Sequence, residues 1–507
     1  MEFSFDTVIR NAQCATASDT FKADIGIKDG IITALGMRIG PGKEEIDALG
    51  RWVLPGGIDG HCHFDQPTND GTKMADDFLS GTRSAACGGT TTVIPFALQK
   101  KGQSLREAVT DYHNRATGKA SIDYAFHLIV TDPTRDVLER ELPELISEGY
   151  TSFKIYMTYD DLKLNDREIL DTLTVARNEG AMVMMHAENA DCIAWLTERL
   201  LKEGHTAPRY HAESRPMLVE REATHRAIAF AELVDVPILI VHVSGKEAIE
   251  QIHWAQNRGL RIYGETCPQY LFLTSEDLGG DDDFDGVKCI CSPPPRDKAN
   301  QQFVWDALEA GTFDVFSSDH APFRFSGPDG KHAMGEKPSF DKVANGIPGV
   351  ETRLALLFSH GVMTGRIDIH QFVALTSTNV AKMYGLYPRK GSIAIGADAD
   401  LVIWDTEHSR TIDNNDLHHN VDYTPYEGFE VQTWPAITLN RGRVLWRNEH
   451  YLGQPGIGLF LPCSRPAPAR PKPNLESFTK KHTQDAQSVP LGKAGINYQV
   501  DSSNLTK

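Results

Sequence analysis

What this sequence lacks narrows its class first. No stretch approaches 18 uninterrupted apolar residues, so no membrane-spanning helix is expected. The start, Met1-Glu2-Phe3-Ser4-Phe5-Asp6, has no basic residues followed by an apolar run, so no secretory leader is read there. Cysteine is sparse, 8 in 507 residues, and scattered rather than paired at framework spacings. Cys289 and Cys291 are too close for the usual C-x-x-C metal geometry. Unpaired thiols suit a reducing compartment, so a soluble cytoplasmic protein is expected. Positive charge is short as well: 51 basic against 69 acidic residues leave a formal net charge of -18. So acidic a chain repels phosphate backbones and anionic lipid surfaces, which argues against nucleic-acid and membrane partners. No Gly-rich fingerprint follows the first strand of the central region, which counts against a dinucleotide site.

What is present supports a large folded chain. Hydrophobic residues make up 40%, with 7 Trp, 14 Tyr and 22 Phe to fill a core. The first 55 residues read as short strands, with Ala23–Ile27 and Ile31–Ala34 flanking the turn Lys28-Asp29-Gly30. Strand-rich text returns at Ala399–Trp404, Ala436–Leu439 and Val444–Trp446. Two such ends bracketing a long middle predict one small β-sandwich domain, built from residues 1–55 plus 395–460.

The middle, residues 56–394, alternates strands with helices. Apolar runs recur at Trp52–Ile58, Thr91–Phe96, Tyr124–Val130, Ser152–Met157, Met182–His186, Pro237–Val243, Arg261–Glu265 and Phe313–Phe316. Helical patterns such as Asp166–Glu179 and Glu220–Leu233 lie between them. Eight strands alternating with helices predict an α/β fold, a (β/α)8 TIM-like barrel, with an open doubly wound sheet as the competing layout. Beyond Ser464 the composition turns to Pro, Lys, Ser and Gln, and residues 464–507 read as an extended tail that leaves the domain or drapes over another subunit.

In such a barrel the chemistry sits at the C-terminal ends of the strands. Reading those ends in order gives His61-Cys62-His63, Lys154, His186, His242 and Ser318-Asp319-His320. Each has a plainer reading alone. With 19 histidines, about one H-x-H arises by chance. A single strand-end histidine is more often hydrogen-bonded in a core, Lys154 more often salt-bridged, and Asp319 a helix cap. The ensemble is different: four histidines, a lysine and an aspartate at one end of one barrel. Imidazole and carboxylate ligands suit zinc, with manganese, iron and cobalt also open.

Gly56-Gly57-Ile58-Asp59-Gly60-His61-Cys62-His63-Phe64-Asp65 resembles the metal-binding opening of cyclic amidohydrolases. Ser152–Tyr159, Met185–Asn189, Val241–Ser244, Gly264–Tyr270, Cys291–Pro294 and Ser318–Pro322 continue the likeness in order. Asn345–Glu351 and Val421–Gly428 look like the dihydropyrimidinase and hydantoinase branch. The resemblance implies two divalent metal ions, zinc expected. His61, His63 and Asp319 would hold one, His186 and His242 the other, and a carboxylated Lys154 would bridge them. An ammonium between two dications would be repelled, whereas a carbamate supplies negative oxygens. Asp319 would be the general base, passing its proton to the leaving ring nitrogen, and Tyr159 would hydrogen-bond the oxyanion.

The implied reaction is hydrolysis of a cyclic amide in a neutral ureide ring, a dihydropyrimidine or a 5-substituted hydantoin, to an N-carbamoyl amino acid. Dihydroorotases place an arginine two residues after the second histidine. Here that position is Asp65, whose charge would repel an anionic substrate. Ring N–H and C=O groups would meet backbone near Ser292 and Asn345, with a purely structural role as the lesser alternative for either residue. Tyr156, on one strand face with Lys154, would wall the pocket with Phe64. Cys62 and the stretch Gln66–Gly71 depart from the common hydantoinase pattern, which leaves the substrate open to allantoin or a cyclic imide. A non-catalytic scaffold relative would have lost metal ligands, and all six are present. The family commonly forms homotetramers, so an oligomer is expected.

Overall fold

The computed structural model describes residues 3–68 and 71–471. Its centre is a parallel barrel of eight strands: β1 Gly57–Cys62, β2 Thr90–Leu98, β3 His127–Ile129, β4 Ser152–Tyr156, β5 Met182–His186, β6 Ile238–Ile240, β7 Ile262–Thr266 and β8 Val315–Phe316. Neighbours pair in sequence order from β1 to β8. The ring closes where Cys62 bridges His320 and the His63 amide donates to the His320 carbonyl at 2.7 Å. A further short strand, Asp123–Tyr124, pairs with β2.

These strands are buried on both faces, as parallel strands covered by helices must be. Alternation sorts their side chains. Met182, Met184, Leu239 and Val241 belong to the cluster lining the lumen with Ile58, Ile94 and Phe96. Val183, Met185, Ile238 and Ile240 belong to the layer under the helices. The helices have ordinary local causes. Asn165 caps Asp166–Glu179 with Glu168 closing a capping box, and Gly180 ends it at φ 74°, each cap worth about 1 kcal/mol.

The second unit is a nine-stranded mixed sheet drawn from both ends of the chain. Phe5–Ala15 pairs with Thr20–Lys28 on one side, and with Gly42–Asp47 and Trp52–Pro55 on the other. Trp52–Pro55 in turn pairs antiparallel with Leu401–Asp405, joining the N-terminal strands to the C-terminal ones. Ile9, Ile25, Ile27, Val53, Leu401, Ile403 and Leu439 form its own apolar cluster. The single run read over Trp52–Ile58 is therefore two strands in two sheets, separated at Gly56. A Cβ at Gly56 would come within 2.8 Å of three Thr91 side-chain atoms, so the turn between the sheets has no room for a side chain.

At the junction of the two units Lys390 Nζ lies 2.6 Å from Asp123, 3.0 Å from Asp398 and 2.6 Å from Asp400, all buried. The described part of the tail, 464–471, packs on its own barrel. The Ser464 amide donates to Gly385, Arg465 Nε to Glu179, and Pro468 accepts from Arg261. Residues 472–507, the rest of the expected tail, lie outside the described residues.

Candidate metal centre

The barrel brings the strand-end residues together by four departures from regular strand geometry. In β1 the pairing slips between Asp59 and Cys62, so the inward parity set by Ile58 shifts and His61 and His63 face the lumen. Cys62 and Phe64 then face outward, in the layer under the helices. In β6 inward Leu239 and Val241 predict an outward His242. Its backbone takes φ 39°, the left-handed region, and the ring turns in toward His186. Asp319 at φ 48° and Tyr159 at φ 66° are held in the same region. Strain of this kind, about 1–3 kcal/mol each, persists where a site over-determines it.

Ligating atoms of His61, His242 and Asp319 all lie within 4.8 Å of one another. Asp319 Oδ1 is 3.1 Å from His61 Nε2 and 3.3 Å from His63 Nε2. His186 Nδ1 is 2.9 Å from His242 Nε2. Lys154 Nζ sits 2.8 Å from His61 Nε2, above the Phe96 and Tyr156 rings at 4.8 and 4.9 Å. All six expected ligands therefore converge.

The remaining nitrogens of three imidazoles are held from behind. Glu265 Oε1 accepts from His61 Nδ1 at 2.6 Å and from the His242 amide at 3.0 Å. Gln66 Oε1 meets His63 Nδ1 at 2.8 Å. Glu188 meets His186 Nε2 at 2.8 Å and pairs with Arg215 at 3.3 Å. Such partners fix tautomer and ring orientation in metal sites. Strand-end reading of the sequence does not single out Glu265, Glu188 or Gln66. A clue to the first exists, because a carboxylate in an apolar barrel strand needs a partner.

The donor set fits divalent cations. Burial pushes His63, His186 and His242 below the usual imidazole range, leaving neutral rings with free lone pairs. His242 Nδ1 is buried without a hydrogen-bond partner among the described residues. Asp319 stays ionised: despite burial, the His61 and His63 rings hold it well below the carboxylate range. Burial lowers Lys154 to about 8, which raises the share of neutral amine.

Around this cluster the expected substrate residues divide. Tyr159 is packed edge-on to His186 at 5.5 Å, and its hydroxyl accepts from Asn345 Nδ2 at 3.4 Å. Burial pushes its phenol up to about 12, so at neutral pH it is a hydrogen-bond donor. Ser292 lies on the same side, lowering the phenol against that burial. Tyr156 stacks on His186 at 5.2 Å and is buried with the ligands.

Phe64 does not wall the pocket. It is fully buried against Phe78 at 5.9 Å and His320 at 5.6 Å, because alternation after inward His63 sends it outward. Nor does Asp65 present a free negative charge, since Arg115 pairs with it at 3.1 Å. The case against an anionic substrate that rested on its charge does not hold.

Comparison with known proteins follows the same lines. The model of the Amidohydrolase family matches residues 52–445. A D-hydantoinase from Geobacillus stearothermophilus is 46% identical over 457 residues, 90% of this chain and 96% of that protein. The crystal structure of dihydropyrimidinase from Brevibacillus agri NCHU1002 has a TM-score of 0.88 at 45% identity, covering 92% of this chain and 100% of that one. An L-hydantoinase (dihydropyrimidinase) from Arthrobacter aurescens reaches a TM-score of 0.81 at 27% identity, covering 90% of this chain and 99% of that one.

Proposed function

Because the chain belongs to the amidohydrolase family, in its hydantoinase and dihydropyrimidinase branch, we propose a reaction centred on two zinc ions and the residues that surround them. The enzyme hydrolyses the cyclic amide bond of a ureide ring, a dihydropyrimidine or 5-substituted hydantoin, to an N-carbamoyl amino acid. The observation that carries the site is the convergence of His61, His63, His186, His242, Lys154 and Asp319, with Glu265, Gln66 and Glu188 behind three of the imidazoles.

His61, His63 and Asp319 would hold one cation, and His186 and His242 the other. When bound, the cations supply Lewis acidity and lower the pKa of water toward neutrality. The neutral amine of Lys154 would add to carbon dioxide, forming an N–C bond and releasing one proton, and the resulting carbamate would supply negatively charged oxygens to the cations. Asp319 accepts the proton of the attacking water and returns it to the ring nitrogen as the amide C–N bond breaks. The Tyr159 hydroxyl donates to the carbonyl oxygen as negative charge develops there. Backbone groups at Ser292 and Asn345 hold the ring edge, with Tyr156 packed behind His186. A cytoplasmic homotetramer completes the reading.

The test is direct. Purified protein should contain two zinc ions per chain, and peptide mass analysis of the active enzyme under mild conditions should find the added mass of carbon dioxide on Lys154. A panel of dihydrouracil, hydantoins, allantoin and cyclic imides, followed by N-carbamoyl product, should show fastest turnover with a ureide ring. Asp319→Asn should retain metal and lose about 10²–10⁴-fold in kcat, the span of general-base contributions. Protein that is fully active without stoichiometric metal, or an Asp319→Asn variant that turns over at the parental rate, refutes the mechanism.

A further inference from the structure

Lys331 is 1% exposed, and no carboxylate lies within ion-pair distance of it among the described residues. Burying an ammonium without a counter-charge is expensive, and a methionine would fill the same space without that cost. What Lys331 has instead is two backbone carbonyls. Its Nζ donates to Ile290 O and to Ala344 O, each at 2.9 Å. Ile290 stands two residues before Ser292, and Ala344 immediately before Asn345.

The same node is tied once more, because the Gly346 amide donates to Ile290 O at 3.0 Å. Gly346 is at φ 149°, where its missing Cβ would fall 2.5 Å from the Ala321 Cβ. The 290–292 segment is anchored on its far side by His211 Nε2 to Cys291 O at 2.8 Å. Asn345 reaches the Tyr159 hydroxyl at 3.4 Å. One buried amine thus spans the two segments assigned to the ring edge, next to the tyrosine assigned to the oxyanion. Burial also pushes Lys331 down to about 7. Deprotonation still leaves two N–H donors for the two carbonyls.

We infer that Lys331 is a positioning residue for substrate: it fixes the spacing between the backbone of Ser292 and that of Asn345, and so sets affinity for the ureide ring edge. The inference rests on the proposed role of those two segments. Lys331 touches neither the metal ligands nor the scissile bond. Its loss should therefore act on ground-state and transition-state binding alike, raising KM and leaving kcat nearly unchanged.

The experiment measures steady-state kinetics and metal content of the wild type and Lys331→Met, using hydantoin, 1-methylhydantoin and 3-methylhydantoin. The expected result for Lys331→Met is full metal content, kcat within about threefold, and KM for hydantoin raised about tenfold or more, as expected for losing one or two hydrogen bonds from a charged donor. Methylation of at least one ring nitrogen should raise KM in the wild type, and by a smaller factor in the variant. Should neither methyl isomer weaken binding to the wild type, the assignment of Ser292 and Asn345 fails. Should methylation matter while Lys331→Met keeps the parental KM, or loses kcat and metal together, the Lys331 inference fails. If Lys331→Met does not fold, Lys331→Gln, which retains an amide donor of shorter reach, is read by the same criteria.

Discussion

Glu265→Gln tests whether the site is built from behind. The Glu265 carboxylate is fully buried and uses one oxygen twice, for His61 Nδ1 at 2.6 Å and the His242 amide at 3.0 Å. It therefore aims the ring of one proposed ligand and pins the strained backbone of another. Glutamine keeps the shape and one acceptor but loses the charge. A hydrogen bond to a charged group is worth about 1.5–3 kcal/mol and a neutral one about 0.5–1.5 kcal/mol, so the change forfeits about 1–2 kcal/mol. At 1.4 kcal/mol per factor of ten, that weakens metal binding about 5- to 30-fold. This falls near the about 10–100-fold range usual for residues behind metal ligands. The assay is equilibrium competition with chelators of graded affinity, reading bound metal directly. Activity at saturating zinc should recover most of its original value. An unaltered affinity would refute the reasoning, and so would activity lost at full metal occupancy, which would put Glu265 in the chemistry instead.

Other substitutions probe separate parts of the molecule. Tyr159→Phe removes the proposed oxyanion donor and should lower kcat about 10²–10³-fold with little change in metal content, as steady-state kinetics will show. Burial pushes Asp314 up to about 7 from 3.8. A carboxyl with a raised folded pKa loses stability as pH climbs from about 4 to about 7. Asp314→Asn should therefore match the wild type at pH 4 and exceed it by up to about 4 kcal/mol at pH 8 in denaturant titrations. Lys390→Met leaves Asp123, Asp398 and Asp400 buried around an absent cation and should cost about 3–5 kcal/mol, measured as a lower urea midpoint.

Much of the site is legible in the sequence because barrel chemistry collects at strand ends. Lys154 and His186 follow simple alternation, so their placement needs only the strand and its period. His242 does not, since its inward turn depends on a positive φ that no pattern of apolar residues encodes. Phe64 and Asp65 mislead for the opposite reason. They sit beside a ligand in sequence, but one packs under a helix and the other pairs with Arg115, a partner fifty residues away. The break inside Trp52–Ile58 stays hidden because Gly56 reads as an ordinary strand glycine, and only the two sheets that meet there give it a reason. Glu265 depends on a contact across the barrel, and Lys331 on two loop carbonyls, that spacing along the chain does not contain.

The four residues Trp52–Pro55 carry a consequence for biosynthesis. On one side they meet a strand translated before them, and on the other Leu401–Asp405, translated hundreds of residues later. At about 5–20 residues per second, the ribosome needs on the order of tens of seconds to deliver that second neighbour. Until then the N-terminal half-sheet presents an open edge, the kind that adheres to other chains. Yield in a slow-translating host should therefore depend most on chaperones that shield this edge while the barrel is still emerging.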